Sequence, residues 1–117
     1  LSPYKSNGAV IAYLEASGFT VVHDVALALE PLAFAKVTPA QWAELARKHD
    51  RPDADGVFLS CTNTTQMDAI SEIERTLRKP VVNSNQAVLW GCLGRLKSKL
   101  GPLALMPELG RLLSQLN

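Results

Sequence analysis

The decapeptide Gly56-Val57-Phe58-Leu59-Ser60-Cys61-Thr62-Asn63-Thr64-Thr65 constrains the fold more than any other stretch of the chain. A short apolar run that ends in small polar residues and leads into an amphipathic segment describes a buried strand entering a βα turn. A second copy of this grammar follows at Pro80-Val81-Val82-Asn83, ahead of a helical stretch carrying Ala87, Val88, Leu89, Leu93 and Leu96. Strands alternating with helices of ten to fifteen residues call for a parallel sheet with helices on both faces. The fold expected is therefore α/β, a parallel sheet of about four strands.

The remaining elements are read by their boundary signals. Ser6 can cap a helix through about Ala16, with Val10, Ile11 and Leu14 on one face and Gly18 as its left-handed stop. The β-branched run Phe19-Thr20-Val21-Val22, continuing to about Val25, predicts a strand. Thr38-Pro39-Ala40-Gln41 has the form of a capping box and starts a helix to about His49. Thr65 opens a helix with Met67, Ile70, Ile73 and Leu77 at core spacing, Ser84 or Asn85 caps the next, and Gly101-Pro102 ends it. Pro107 to Leu116 is a last amphipathic stretch with Leu109, Leu112, Leu113 and Leu116 on one stripe. Trp42, Trp90 and Cys92 are expected to pack in helix faces.

Residues 1–117 suffice for a single α/β lobe with an ordinary core. With 12 basic and 11 acidic residues the formal charge is +1, which leaves no footprint for nucleic acid or an anionic membrane. No apolar stretch approaches a membrane span. The two cysteines, Cys61 and Cys92, fit neither a metal-ligand spacing nor a disulfide framework, which suits a soluble, cytoplasmic protein. The pattern opens on a helix where a βαβ unit wants a strand, so the chain is expected to be a fragment of a longer protein.

Right-handed crossovers bring all strand C-termini to one edge of the sheet. Three polar clusters then converge, at Ser2-Pro3-Tyr4, Ser60 to Thr65, and Asn83-Ser84-Asn85-Gln86. Ser, Thr and Asn are ordinary capping and turn residues, so each cluster alone has a plain structural explanation. Together they describe a pocket for a carboxylate or an enolate-like intermediate, with Cys61 facing helix N–H groups that favour its thiolate. Other chemistries fit poorly. Met67 stands where a cysteine phosphatase loop needs Arg, Asp53 and Asp55 precede the strand instead of ending it, and there is no glycine-rich phosphate loop. Neither His23, in a strand, nor His49, at a helix end, is a compelling base.

The motifs Leu59-Ser60-Cys61-Thr62-Asn63, Asp68-Ala69-Ile70-x-x-Ile73-Glu74 and Lys79 to Trp90 resemble the second half of a maleate cis-trans isomerase, in the aspartate/glutamate racemase superfamily that also holds arylmalonate decarboxylases. Ser2-Pro3-Tyr4 resembles that family's strand-end turn. The resemblance implies a flavodoxin-like lobe of the Asp/Glu racemase fold, paired with an N-terminal lobe across a cleft to which each lends a cysteine. It implies no metal and no organic cofactor. Cys61 is then the catalytic cysteine of the second lobe, Tyr4 a ligand of the substrate carboxylate, and Thr62 and Asn63 donors in the same site. The first reading is cofactor-independent isomerisation of maleate to fumarate. The alternatives are an amino-acid racemase or arylmalonate decarboxylase, or a non-catalytic lobe that binds a carboxylate. One departure stands out: Ala28 to Ala35 is nearly all apolar where maleate isomerases tend to place a polar substrate contact. An apolar face uncovered by the absent lobe predicts self-association into a homo-oligomer.

Overall fold

The computed structural model describes residues 1–100 and 107–116. Two strands, β1 (Val57–Leu59) and β2 (Val81–Asn83), pair in parallel with Val57 opposite Val81 and Leu59 opposite Asn83. Helices α1 (Gly8–Ala16), α2 (Pro39–Lys48), α3 (Ile70–Leu77), α4 (Ser84–Leu100) and α5 (Arg111–Ser114) complete an α/β arrangement. Short 3₁₀ turns at Pro31–Lys36, Gln66–Ala69 and Pro107–Leu109 join them. Among the described residues no helix is long and apolar enough to cross a membrane.

The expected four strands are not all formed. Residues 19–25 form no strand, and the parallel bridge that follows them, Ala26 to Ser2, is isolated from the two-stranded sheet. The reason lies in the partner: among the described residues, 19–24 make no ladder bonds to another extended backbone, and a strand without a ladder is not stable in water. Leu1 and Ser2 occupy the place between this segment and β1. Ser60 N donates to Leu1 O at 2.9 Å on one side, and Leu27 N to Ser2 O at 3.0 Å on the other.

Helix boundaries follow the side-chain signals closely where caps are strong. Thr38 Oγ1 accepts from Gln41 N while Gln41 Oε1 accepts from Thr38 N, so α2 begins at the expected box. Gly18 takes φ +93° just past α1. The cap of α1 falls on Asn7 instead of Ser6, whose hydroxyl accepts from Gly8 N. Thr65 flanks its helix as expected but spends its hydroxyl on Val37 O at 2.6 Å, and the helix starts as a 3₁₀ turn. The predicted stop at Gly101-Pro102 lies outside the described residues.

The core gathers Trp42 and Ala46 of α2, Leu59, Ala69, Ile70, Ile73 and Val81, all buried. Trp42 thus packs as expected, whereas Trp90 remains 41% exposed and Cys92 is exposed. Both lie on α4, which meets the rest of the molecule through its first turn and through α5; the faces carrying them have no neighbour to pack on. Of the final stripe, Leu113 and Leu116 are buried, and Leu109 and Leu112 are half-buried.

Glu74, 6% exposed, anchors this last segment. Its carboxylate accepts from Val81 N at 3.1 Å and from Arg111 N at 3.0 Å. Gly110 makes the approach possible: its φ is +88°, and a side chain there would overlap Ile70 and the Gln86 amide. Replacing Glu74 by Ala leaves two backbone donors without an acceptor, which costs roughly 1–3 kcal/mol. Urea denaturation should show a loss of that size for Glu74→Ala, and an unchanged midpoint for Glu72→Ala, whose partner Arg75 lies on the exposed surface.

Candidate functional site

The strand C-termini and the Tyr4 turn meet at one edge of the sheet, and a buried amide network fixes their arrangement. Asn83, at the end of β2, donates from Nδ2 to Leu59 O at 3.0 Å and to Gln66 Oε1 at 2.9 Å. Its Oδ1 accepts from Asn85 N at 2.9 Å, which holds the start of α4. Gln86 accepts from Asn83 N at 3.1 Å and passes a hydrogen bond on to Leu109 O at 2.7 Å. Asn83, Gln66 and Gln86 are each fully buried in a region where an unpaired polar group is costly; the Asn83 and Gln86 amides bond to protein at both ends, whereas Gln66 Nε2 has no partner among the described residues.

Cys61 follows β1 by two residues and is 6% exposed. Its backbone is held at φ 127°, a conformation that a residue with a Cβ adopts only under constraint. Two contacts supply that constraint: Cys61 N donates to Ser84 Oγ at 3.1 Å, and Thr64 Oγ1 donates to Cys61 O. The helix start brought to this turn is therefore that of α4. The helical turn that follows Cys61 in sequence does not begin until Gln66, which corrects the expected geometry around the thiol.

Tyr4 is delivered from the opposite side. Ser2, fully buried, donates its hydroxyl to Asn7 Oδ1 and accepts from Tyr4 N at 3.2 Å, while Asn7 Nδ2 donates to Asp24 Oδ2 at 3.1 Å. Leu29 N and Ala28 N donate to Pro3 O and Tyr4 O, stapling the turn to the apolar loop. Phe34 from that loop meets the Tyr4 ring edge-on at 6.1 Å, and Leu32 beside it is 90% exposed. The Tyr4 phenol interacts with both Ser60 and Cys61. Burial pushes it above the ordinary phenol value, the Ser60 hydroxyl pulls it back in part, and Cys61 raises it further, so it stays protonated at neutral pH.

The structure thus brings Tyr4 and Cys61 together. Thr62 and Asn63 lie on the exposed rim of the same turn, where Thr62 O accepts from Asn85 Nδ2 at 3.0 Å. Ser84 and Ser60 contact the site and were visible in the sequence only as members of polar clusters. Nothing in the sequence distinguished the buried Gln66 from a surface glutamine. Among the described residues no three His, Cys, Asp or Glu side chains gather as a metal site.

The class this geometry defines is an α/β lobe that holds a strained, buried cysteine at the C-terminal edge of its parallel sheet, beside a protonated phenol. The family model for arylmalonate decarboxylase matches residues 4–106, and the chain belongs to that family. Over 60 residues it is 42% identical to the arylmalonate decarboxylase of Bordetella bronchiseptica, a match covering 50% of this chain and 25% of that protein. A crystal structure of arylmalonate decarboxylase superposes with a TM-score of 0.82 at 31% identity, over 97% of this chain and 51% of the other. A maleate isomerase from Pseudomonas putida S16, solved with maleate, superposes with a TM-score of 0.79 at 26% identity, over 97% and 45%. These relatives fit the aspartate/glutamate racemase superfamily, and the chain spans about half the length of the solved ones.

The strain at Cys61 makes a prediction that separates backbone from side chain. Glycine adopts a positive φ freely, so Cys61→Gly should be more stable than Cys61→Ala by about 1 kcal/mol. Thermal unfolding of the two variants decides it; equal or reversed stabilities would mean that the turn is not strained.

Proposed function

We propose that this chain is the second lobe of a two-lobe enzyme that works without a cofactor on a small dicarboxylate, with Cys61 handling the proton at the reacting carbon. The observation that carries the reading is the buried, strained Cys61 set against the Tyr4 phenol at the sheet edge. The match of nearly the whole chain to about half of each solved relative supports one lobe of two.

The reaction favoured is decarboxylation of an aryl-substituted malonate. One C–C bond to a carboxylate breaks, carbon dioxide leaves, and the electron pair passes into the remaining carboxylate as an enediolate. The Cys61 thiol then gives its proton to the α-carbon and recovers one from solvent. Tyr4 donates a hydrogen bond to the oxygen on which charge builds, a role that requires the phenol to be protonated, and Thr62 and Asn63 supply further donors at the rim. The Phe34 ring edge-on to Tyr4 suits an aryl group better than a second polar contact.

A second reading, cis-trans isomerisation of maleate, is favoured by the likeness to the maleate isomerase solved with maleate. There the Cys61 thiolate adds to the double bond, the new single bond rotates, and elimination returns the thiolate.

Both readings are tested on a protein carrying this chain together with its first lobe. Carbon dioxide release from phenylmalonate and ultraviolet-monitored conversion of maleate are measured for the wild type and for Cys61→Ser, with circular dichroism as the folding control. The first reading predicts decarboxylation that falls at least about 100-fold in the variant. Maleate turnover without decarboxylation selects the second. Full activity of Cys61→Ser overturns the role given to this cysteine in both.

A further inference from the structure

The chain has two histidines, 26 residues apart, and the fold brings both to one point. His23 Nε2 and His49 Nδ1 lie 3.4 Å from each other, with ring centroids 5.6 Å apart and planes tilted by 33°. From this pair we infer that the lobe carries a binding site for a divalent transition ion that prefers imidazole, of which zinc is the type. His23 and His49 are its two protein ligands, and water takes the remaining positions.

The distance is the first argument. A separation of 3.4 Å is long for a bond from a ring N–H, whose donor and acceptor normally lie about 2.7–3.2 Å apart. It is the separation that a metal imposes: two imidazole nitrogens, each about 2.0–2.1 Å from a tetrahedral zinc, stand about 3.3–3.4 Å from each other. A shared proton uses the lone pair of one ring, whereas a metal uses both.

The ligands come from different elements, which is what makes the pair a clip. His49 is the C-cap of α2 and its N donates to Leu45 O at 3.0 Å, so its backbone is fixed. His23 stands in the run 19–25, outside any strand, and its exposure leaves the ring room to turn its lone pair toward a common centre.

The surroundings favour positive charge. The C-terminal end of α2 attracts a cation. Asp24 and Asp50, each next in sequence to one histidine, line the same groove. Both carboxylates are held elsewhere, Asp24 by Asn7 Nδ2 and Asp50 by Lys79 at 2.6 Å, so they add negative potential without ligating. Of the opposing cations nearby, Arg47 is taken by Glu44 and Arg51 by Asp53, and Lys48 is exposed to solvent.

An ion bound here joins two parts of the lobe that no ladder connects among the described residues. Segment 19–25 leads into Leu27, Ala28 and Leu29, whose amides hold the Ser2-Pro3-Tyr4 turn. Fixing His23 to α2 therefore steadies the arm that carries Tyr4. The pair lies where the chain approaches β1, whereas Cys61 follows its exit, so the ion has a structural part and not a reactive one.

The test uses the 117-residue chain without a purification tag and with Cys92→Ser, which removes an exposed thiol with its own affinity for zinc. Zinc chloride is added in calorimetry and in proton–nitrogen NMR of the imidazoles, where the only two rings are those of His23 and His49. The expected result is one zinc per chain, with both rings shifting together. His23→Ala and His49→Gln should each weaken binding at least about tenfold, because simultaneous engagement is lost. Zinc should also raise the unfolding temperature of the parent and leave that of His23→Ala, a substitution at an exposed position, unchanged. Binding that persists undiminished in both variants puts the zinc elsewhere, on Cys61 or a carboxylate, and overturns the proposal. So does a stoichiometry of one zinc per two chains. Imidazole signals that millimolar zinc leaves unmoved overturn it as well, and reduce the pair to a hydrogen bond.

Discussion

The Asn83 side chain is the interaction on which the rest of this lobe depends. A two-stranded parallel sheet has little cooperativity of its own, and its register is reinforced where a fully buried amide at the end of β2 bonds to the last carbonyl of β1 and to Gln66. The same residue holds the start of α4 through its carbonyl oxygen. One side chain therefore sets strand register, helix entry and the position of the Gln66 turn. Gln86 extends the network to the C-terminal segment, which Glu74 grips independently.

The site inherits its geometry from this network. Because α4 is held at its first residues, Ser84 is placed to accept from Cys61 N, and Cys61 can be kept in a backbone conformation that it would not adopt alone. On the other side a chain of hydrogen bonds from Asp24 through Asn7 and Ser2 fixes the Tyr4 turn. Two rigid arms thus bring a thiol and a phenol together. Side chains placed in this way need little further ordering to meet a ligand.

Much of this was legible in the sequence, for specific reasons. The capping box at Thr38 and Gln41, the left-handed stop at Gly18 and the runs ending at Leu59 and Asn83 encode their structure locally. So does the convergence of polar clusters on one sheet edge, which follows from the handedness of crossovers alone. The strand expected over residues 19–25 failed because a strand exists only with its neighbour. Cys92 and Trp90 were misplaced for a related reason: α4 is apolar on more faces than this lobe covers, and an apolar residue in a helix does not say which face finds a partner. The buried Gln66 and Asn7 were invisible, since their burial depends on partners distant in sequence.

The central claim is that Cys61 lines a site for a small carboxylate, and ligand protection against alkylation tests it most directly. In the protein that joins this chain to its first lobe, iodoacetamide labelling of Cys61 and Cys92 is followed by mass spectrometry with and without phenylmalonate or maleate. Exposed on α4, Cys92 serves as the internal control. The account predicts that one of these dicarboxylates slows labelling of Cys61 in a saturable way and leaves Cys92 unaffected. Labelling of Cys61 that neither compound alters at saturating concentration would contradict it.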